Sequence, residues 1–305
     1  MSMDVVTVGH ALVDIRITVE DFAGPDEESR INNQSRGIGG SAVNVAVDIA
    51  KLGGKSGIIA KIGFDSFGKI IFDELSKLGI DISGLRISIG DTGFSIVVIN
   101  KRGEIAIYSY KGVSDSLRPE EVNSDIISRA RIIHIASLRL DTTLKAARTA
   151  KSHGKTVSWD PGRVVSKAGL NNVENILANI DIVFLNWHES EALTGTRDLE
   201  KASRLISEKG PSIVVIKLGE KGAFIYNRGD TRRIPAFKPP KIVDTTGAGD
   251  ALAAGMLFKL ARGHDVYDAL IYGMAVASLK ITMLGANSIP EPSRVEKYLE
   301  QLRMM

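Results

Sequence analysis

The chain has 305 residues, 44% of them hydrophobic and 25% charged, with a formal net charge of +3. This is the balance of an ordinary soluble globular protein of one large or two medium domains, and its scattered Lys and Arg give no footprint for nucleic acid. No apolar run is long enough to span a bilayer, and the absence of cysteine excludes disulfides, thiolate nucleophiles and thiolate metal sites, so a cytoplasmic protein is expected.

The chain begins on a strand pattern, Val5–Gly9, so no leader peptide is expected. Asp14–Val19 alternates polar and apolar residues, as a half-exposed strand does. Ser41–Leu52 reads as a helix closed by Gly53-Gly54, with a strand over Ser56–Ile62. Phe94–Asn100 and Glu104–Tyr110 alternate again around a turn at Lys101–Gly103 and read as antiparallel strands. From about residue 130 short apolar runs alternate with helical patterns. The strands are Ile132–Ala136, Thr156–Trp159, Ile182–Leu185 and Ile213–Ile216, and the helix Leu144–His153 ends at Gly154. Strands of this kind are buried on both faces, which predicts an α/β fold with a mostly parallel central sheet flanked by helices.

The most informative stretch is Asp244-Thr-Thr-Gly247-Ala248-Gly249-Asp250, followed by a small-residue helix from Ala251 to Arg262. Gly247, Ala248 and Gly249 let backbone N–H groups approach a ligand closely. They open a helix, whose first N–H groups lack internal partners and whose dipole is positive there. Together these make an anion site. Asp250 adds a carboxylate beside it, which suits a base that touches a substrate hydroxyl while the N–H groups hold a phosphoryl group. The simpler reading is a Gly-rich turn with Asp250 as a helix cap. A helix N-terminus is expected to depress the Asp250 pKa.

Three more motifs sit at the ends of strands, where α/β proteins bind ligands. Asn186-Trp-His-Glu189 also fits a helix start, with Asn186 capping and Glu189 as the capping-box acid. Lys217-Leu-Gly219-Glu-Lys-Gly222-Ala223 follows Ile213–Ile216, and Lys217 can reach a phosphate or serve as a surface charge. Asp160-Pro-Gly-Arg163 places a guanidinium that can grip a carboxylate or phosphate in bidentate fashion.

Two motifs point elsewhere. Gly63–Ile70 nearly fits a P-loop, but Ile70 stands where magnesium needs a hydroxyl. Gly37-Ile-Gly39-Gly-Ser-Ala42 matches a dinucleotide fingerprint and keeps an NAD-dependent oxidoreductase as an alternative. The polar residues 25–36 before it are not the buried first strand that fingerprint needs. The five His residues show no metal-ligand spacing, and His134 reads as a core histidine.

The Asp244–Asp250 string resembles the second signature of the ribokinase-like (PfkB) family of sugar and nucleoside kinases. Gly39-Gly40-Ser-Ala-Val-Asn44, Leu52-Gly53-Gly54 and Ile62–Gly68 resemble its first signature. The resemblance covers nearly the whole chain. It implies one α/β domain over residues 1–305, with lid strands inserted at about 13–37 and 92–111. The implied activity is an ATP-dependent kinase, with magnesium, acting on a hydroxyl of a small sugar or sugar acid, or alternatively a nucleoside.

Residue by residue, the resemblance makes Asp250 the catalytic base and Gly247, Ala248 and Gly249 the anion hole. Asp14, Gly39, Gly40 and Asn44 fall at substrate contacts, and Arg163 matches an Asp-Pro-x-Arg motif of fructokinases and keto-deoxygluconate kinases. Asn186, Lys217, Gly219, Gly222 and Asn287 fall at nucleotide positions, and Glu189 at one that organises magnesium through water. Gly285–Ser288 resembles a turn that in some members lies near a monovalent cation such as potassium. Leu12 stands where ribokinases have Asn, and Ser137 near the place of an acidic sugar contact, so ribose itself is not favoured. Met274 takes the place of an adenine-side Asn. Pairing of two lids predicts a homodimer.

Overall fold

The computed structural model describes residues 2–239 and 241–303. In chain order the first half contains strands β1 (Met3–Val8), β2 (Leu12–Val19) and β3 (Ile31–Gly39), helix α1 (Ser41–Lys51), β4 (Ser56–Gly63), α2 (Ser66–Lys77), β5 (Asp81–Ser88), β6 (Thr92–Ile99) and β7 (Ile105–Gly112). Next come α3 (Ser124–Ser128), β8 (Ala130–Ala136), α4 (Leu140–Ser152), β9 (Thr156–Asp160), α5 (Gly162–Ser166), α6 (Leu170–Leu177), β10 (Ile182–Asn186) and α7 (Trp187–Thr194). The chain closes with α8 (Leu199–Ser207), β11 (Ile213–Lys217), β12 (Ala223–Asn227), β13 (Asp230–Ile234), α9 (Ala248–Ala261), α10 (Val266–Lys280) and α11 (Pro292–Arg303).

Nine strands form the main sheet in the order β13-β12-β11-β10-β9-β8-β1-β4-β5. The seven from β11 to β5 are parallel, and β12 and β13 return antiparallel at one edge. The continuous apolar runs are buried on both faces, as a parallel sheet between helices requires. One face packs against α3, α4, α6 and α8 through Ile127, Ala147, Ile176 and Ile206. The other packs against α1, α2, α9 and α10 through Val45, Ile71, Met256 and Leu270. Helix α9 is apolar nearly all round because it lies between sheet and helices. A Cβ on Gly255 would lie 2.8 Å from the Gly273 Cα, so this pair of glycines permits the close α9–α10 crossing.

Four strands form a second sheet, β3-β2-β6-β7. The β2–β3 and β6–β7 pairs are antiparallel, while the central β2–β6 pair is parallel. Both outgoing strands leave the main sheet in the same direction, and β3 and β7 bring the chain back. Strand β3 lies in the stretch that the sequence marks only as polar. It is an edge strand, exposed from Ile31 to Arg36, so no apolar periodicity announces it.

The strand order reverses between β1 and β8. In parallel α/β sheets a crevice opens at such a switch, beyond the strands' C-terminal ends. Among the described residues no helix is long and apolar enough to cross a membrane.

Candidate active site

A cavity of about 360 Å³ lies at this switch point. His10 follows β1, Ala136 and Ser137 end β8, Asp160 ends β9 and Lys217 ends β11. Gly40 and Ser41 at the start of α1, Gly162 and Arg163 of α5, Glu189 of α7 and Lys111 of the lid complete the wall around Asp250. Gly40 has φ of 94°, and a Cβ there would lie 2.4 Å from the His10 carbonyl oxygen. Only glycine brings α1 this close to β1.

Asp250 is the third residue of α9; the N-cap is Gly247, in the left-handed region at φ 78°. The carboxylate therefore does not cap the helix. Nδ2 of Asn44 donates to its Oδ2 at 2.8 Å. Its pKa is lifted to about 6 by burial above all, with the Asp160 carboxylate adding to the rise. The Asn44 and Ser41 hydrogen bonds and Lys217 oppose that rise and lose. The sequence-based expectation of a depressed pKa is thus overturned: desolvation outweighs the helix N-terminus.

The Lys217 ammonium pairs with Oδ2 of Asp160 at 2.7 Å. Burial pulls its pKa down, but Asp160, Glu189 and Asp250 together hold it above the ordinary value. A Cβ on Gly249 would lie 3.2 Å from this nitrogen. Lys217 therefore sits against the N-terminus of α9, with its charge beside the Gly247–Gly249 backbone.

Lys217 also lines a second cavity of about 650 Å³, with Gly219, Gly222, Thr245, Ala248 and Gly249. Its remaining wall is mainly apolar, including Phe237, Ile242, Leu252, Met274, Ala277 and Ile281. A planar base fits such a wall, and phosphates fit the Gly-rich end.

Asn186 and Glu189 form a reciprocal capping box. Asn186 Oδ1 accepts from the Glu189 amide at 2.9 Å, and Glu189 Oε2 accepts from the Asn186 amide at 2.8 Å. Glu189 faces the first cavity as well. Burial raises its pKa, and Asp160 adds to the rise. Two neighbouring carboxylates at a phosphate site suit hydrated magnesium, which takes one or two carboxylates, waters and phosphate oxygens.

The other motif residues separate. Asp14 accepts a short hydrogen bond from Ser95 Oγ, lies 3.6 Å from Nη2 of Arg16 and packs against Gly39. Asp14, Gly39 and Asn44 are not among the residues that line the first cavity, though Asn44 is hydrogen-bonded to Asp250, which does line it. Asn186 lines neither cavity, and neither does Asn287. The Asn287 amide donates to the Ile38 carbonyl at 3.0 Å. Gly63–Ile70 is no phosphate cradle: Asp65 accepts from the amides of Gly68 at 2.7 Å and Thr92 at 2.8 Å, capping α2 and anchoring β6. Residues 37–42 follow an exposed lid strand and not a buried one, which removes the context of a dinucleotide fingerprint. His134 is a satisfied core histidine, with Nδ1 2.9 Å from Ser158 Oγ.

His10, Ser41, Lys111 and Asp160 escaped the sequence reading of the site. Asp160 has a signal, since it ends a strand beside Arg163. Lys111 has a weak one, since Tyr108-Ser-Tyr110-Lys111 loosely resembles the lid of keto-deoxygluconate kinases without its Arg, and His10 has none. His10 lies 3.2 Å from Asp115, and burial and then Lys111 lower its pKa, so it is neutral near pH 7. Lys111 and Arg163 make no hydrogen bond or ion pair among the described residues.

A carboxylate, an anion-binding helix terminus and a buried ammonium meet where two cavities join, which is the arrangement phosphoryl transfer needs. Residues 2–294 match the pfkB family carbohydrate kinase model. The chain is 34% identical over 299 residues to the ATP-dependent ribose-1-phosphate kinase of Halopiger xanaduensis, covering 97% of this chain and 98% of that one. The structure resembles Arabidopsis thaliana ribokinase complexed with ribose and ATP, with TM-score 0.88, 26% identity and 98% and 99% of the two chains covered. It also resembles a putative ribokinase II from E. coli in complex with ATP and magnesium, with TM-score 0.85, 25% identity and 99% and 100% covered. This chain belongs to the PfkB family of carbohydrate kinases, ATP-dependent phosphotransferases that act on hydroxyl groups. Its fold is the ribokinase-like α/β fold with a small second sheet as lid.

Proposed function

We propose that this kinase phosphorylates a hydroxyl of a small anionic sugar, a sugar phosphate or sugar acid, at the expense of ATP. The observation that carries this reading is the pair of cations lining the first cavity, Lys111 and Arg163, neither of which has an acidic partner within ion-pair distance. Lys217 is different, being neutralised by Asp160. A neutral sugar would leave both without a direct ionic partner, answered only by the longer-range fields of Asp115 and Asp14 at Lys111 and of Glu189 at Arg163, whereas a phosphate or carboxylate pairs with them through charge-assisted hydrogen bonds. The sequence points to a sugar or sugar acid, or alternatively a nucleoside; the convergence of single basic residues far apart in the chain, with the relationship to a ribose-1-phosphate kinase, adds a sugar phosphate to the anionic candidates.

In the reaction, the acceptor hydroxyl lies against Asp250 and its oxygen bonds to the γ-phosphorus as the bond to the β-phosphate oxygen breaks. Asp250 takes the hydroxyl proton late, as a loose transition state allows. Backbone N–H groups of Gly247, Ala248 and Gly249, with the Lys217 ammonium, stabilise charge on the transferring group. Gly219 and Gly222 allow the nucleotide to approach the loop after β11. Magnesium, when bound, neutralises phosphate charge, and Glu189 is the residue to hold it through water. Asn44 orients Asp250, and Asp14 keeps the lid strands in register with the diglycine. ATP and magnesium both suit a cytoplasmic site, and two lids pack as a homodimer.

A coupled assay over pentoses, pentose phosphates, sugar acids and nucleosides tests the reading. An anionic sugar should give the highest kcat/KM. A neutral sugar or a nucleoside as best acceptor overturns it.

A further inference from the structure

Behind the anion-hole loop lie two ionisable groups that phosphoryl transfer itself does not use. Lys280 is the last residue of α10, and its side chain is fully buried at 0% exposure. Its ammonium donates to the main-chain carbonyl of Asp244 at 3.0 Å. Asp48 lies on α1, one turn beyond Asn44. It too is fully buried, and neither of its carboxylate oxygens has a hydrogen-bond partner. Burial, with Asp250 adding, raises the Asp48 pKa well above the ordinary value, and burial lowers that of Lys280.

The charged groups that act on Lys280 come from every side. Asp244 belongs to the loop, Arg16 to β2, Asp48 to α1 and Asp250 to α9. Those acting on Asp48 are Asp250, Lys51 and Lys280. Three carboxylates thus surround the ammonium against one guanidinium.

Asp244 opens the loop that ends in Gly247–Gly249. Its carboxylate accepts from the Thr246 amide and the Gly285 amide, both at 2.9 Å. Its amide and that of Val243 donate to the Ile281 carbonyl at 3.2 and 2.7 Å. Gly247 packs so closely on the turn after α10 that a Cβ would lie 2.2 Å from the Ala286 oxygen. The loop is therefore fastened to the residues just beyond Lys280, whose ammonium holds the Asp244 carbonyl, while the Lys51 ammonium donates to the Asn287 carbonyl of the adjoining turn at 2.8 Å. A diffusible monovalent cation at the Gly285–Ser288 turn would meet this ammonium as a like charge. The residues present do not fit such an ion.

We propose that the Lys280 ammonium, through its hydrogen bond to the Asp244 carbonyl, is a built-in cation that fixes the anion-hole loop, and that this kinase takes no monovalent cation at the neighbouring turn. The inference rests on Gly247–Gly249 as the phosphate-binding segment, but its test needs no acceptor. Melting temperature and MgATP affinity are measured in potassium, sodium and tetramethylammonium chloride at equal ionic strength. The wild type should give the same values in all three. In tetramethylammonium, Lys280→Met should weaken MgATP binding about tenfold or more, from loss of a charge-assisted hydrogen bond at the loop. Potassium or ammonium should restore a large part of that loss and raise the melting temperature, by entering the vacated place.

Lys280→Met removes a buried cation among the acidic side chains of Asp244, Asp48 and Asp250, which threatens folding. The double variant Lys280→Met/Asp48→Asn removes both buried ionisable groups, and the same weakening and cation rescue are expected of it. A wild type whose MgATP affinity depends on potassium overturns the proposal. So does a variant that binds MgATP normally, or one whose weakened binding no cation restores, since Lys280 would then be a packing residue only. Normal MgATP binding in a variant that still turns over and still needs Asp250 would leave the kinase reading intact.

Discussion

Nδ2 of Asn44 reaches Oδ2 of Asp250 across 2.8 Å, joining the N-termini of α1 and α9 at one carboxylate. The bond favours the ionised form, against burial and Asp160. Asp250→Asn should lower kcat by about two orders of magnitude or more, with MgATP affinity nearly unchanged. Asn44→Ala should lower kcat less and move the acid limb of the pH profile upward, because the ionised base loses a donor. Near-normal turnover of Asp250→Asn sinks the assignment.

The pH dependence follows from the same group. A protonated Asp250 cannot accept the hydroxyl proton, so kcat/KM should be full above the raised pKa of about 6 and fall below it. The expected slope is about tenfold per pH unit well below the midpoint. A profile flat down to pH 5, taken with folding verified by circular dichroism, contradicts it.

Glu189 has two duties, one oxygen in the capping box and a place on the cavity wall. Glu189→Gln keeps a capping partner for the Asn186 amide but loses the charge that would hold hydrated magnesium. The magnesium concentration for half-maximal activity should rise, with melting temperature little changed. An unmoved magnesium titration reduces Glu189 to a helix cap.

Lys111 and Arg163 converge on the acceptor cavity from the lid and from α5. For an anionic acceptor, Lys111→Ala and Arg163→Ala should each raise KM about ten- to a hundredfold, from about 1.5–3 kcal/mol per charge-assisted hydrogen bond. The KM for MgATP should hardly move. Equal effects on both KM values would mean that these residues shape the fold and not the acceptor site.

Much of this arrangement is legible in the chain. The parallel strands carry continuous apolar runs, and the Gly-rich string before α9 names its own chemistry. What the chain hides is convergence. Lys111 and His10 acquire meaning only when the lid folds over the switch between β1 and β8, and no spacing links them. Asn287 shows that a motif position can also hold the fold together: its amide donates to the Ile38 carbonyl at the root of the lid. The Asp250 pKa was misjudged for a related reason, since a helix terminus is visible in sequence while the depth of burial is not. Strand β3 shows no pattern of its own and falls only within the lid stretch of about 13–37 that the resemblance implies, because an exposed edge strand needs no apolar side chains.

The lid presents a second, outward face. In the parallel β2–β6 register Ile15 pairs with Ile96 and Ile17 with Val98, and across β6–β7 Ile96 pairs with Tyr108 and Phe94 with Tyr110. Paired residues lie on one side of a sheet. Asp14, Ser95 and Val97 lie on the other and are buried; on the first side Ile15 and Phe94, nearest the body, pack against its core and Phe67 of α2, which leaves the stretch from Ile17, Ile96 and Val98 to Tyr108 as the outer part. Tyr108 is 64% exposed and Tyr110 48%, and Ile15, Ile17, Ile96 and Val98 are half-buried. An apolar face of this breadth, with edge strands β3 and β7 beside it, favours pairing with a second copy about a two-fold axis. A dimer is expected by light scattering at micromolar concentration. Val98→Glu puts a charge among paired apolar residues and should dissociate it, while KM for the acceptor rises because lid closure loses support. A wild-type monomer rejects the interface outright, and a dimer that survives Val98→Glu must be built on another surface.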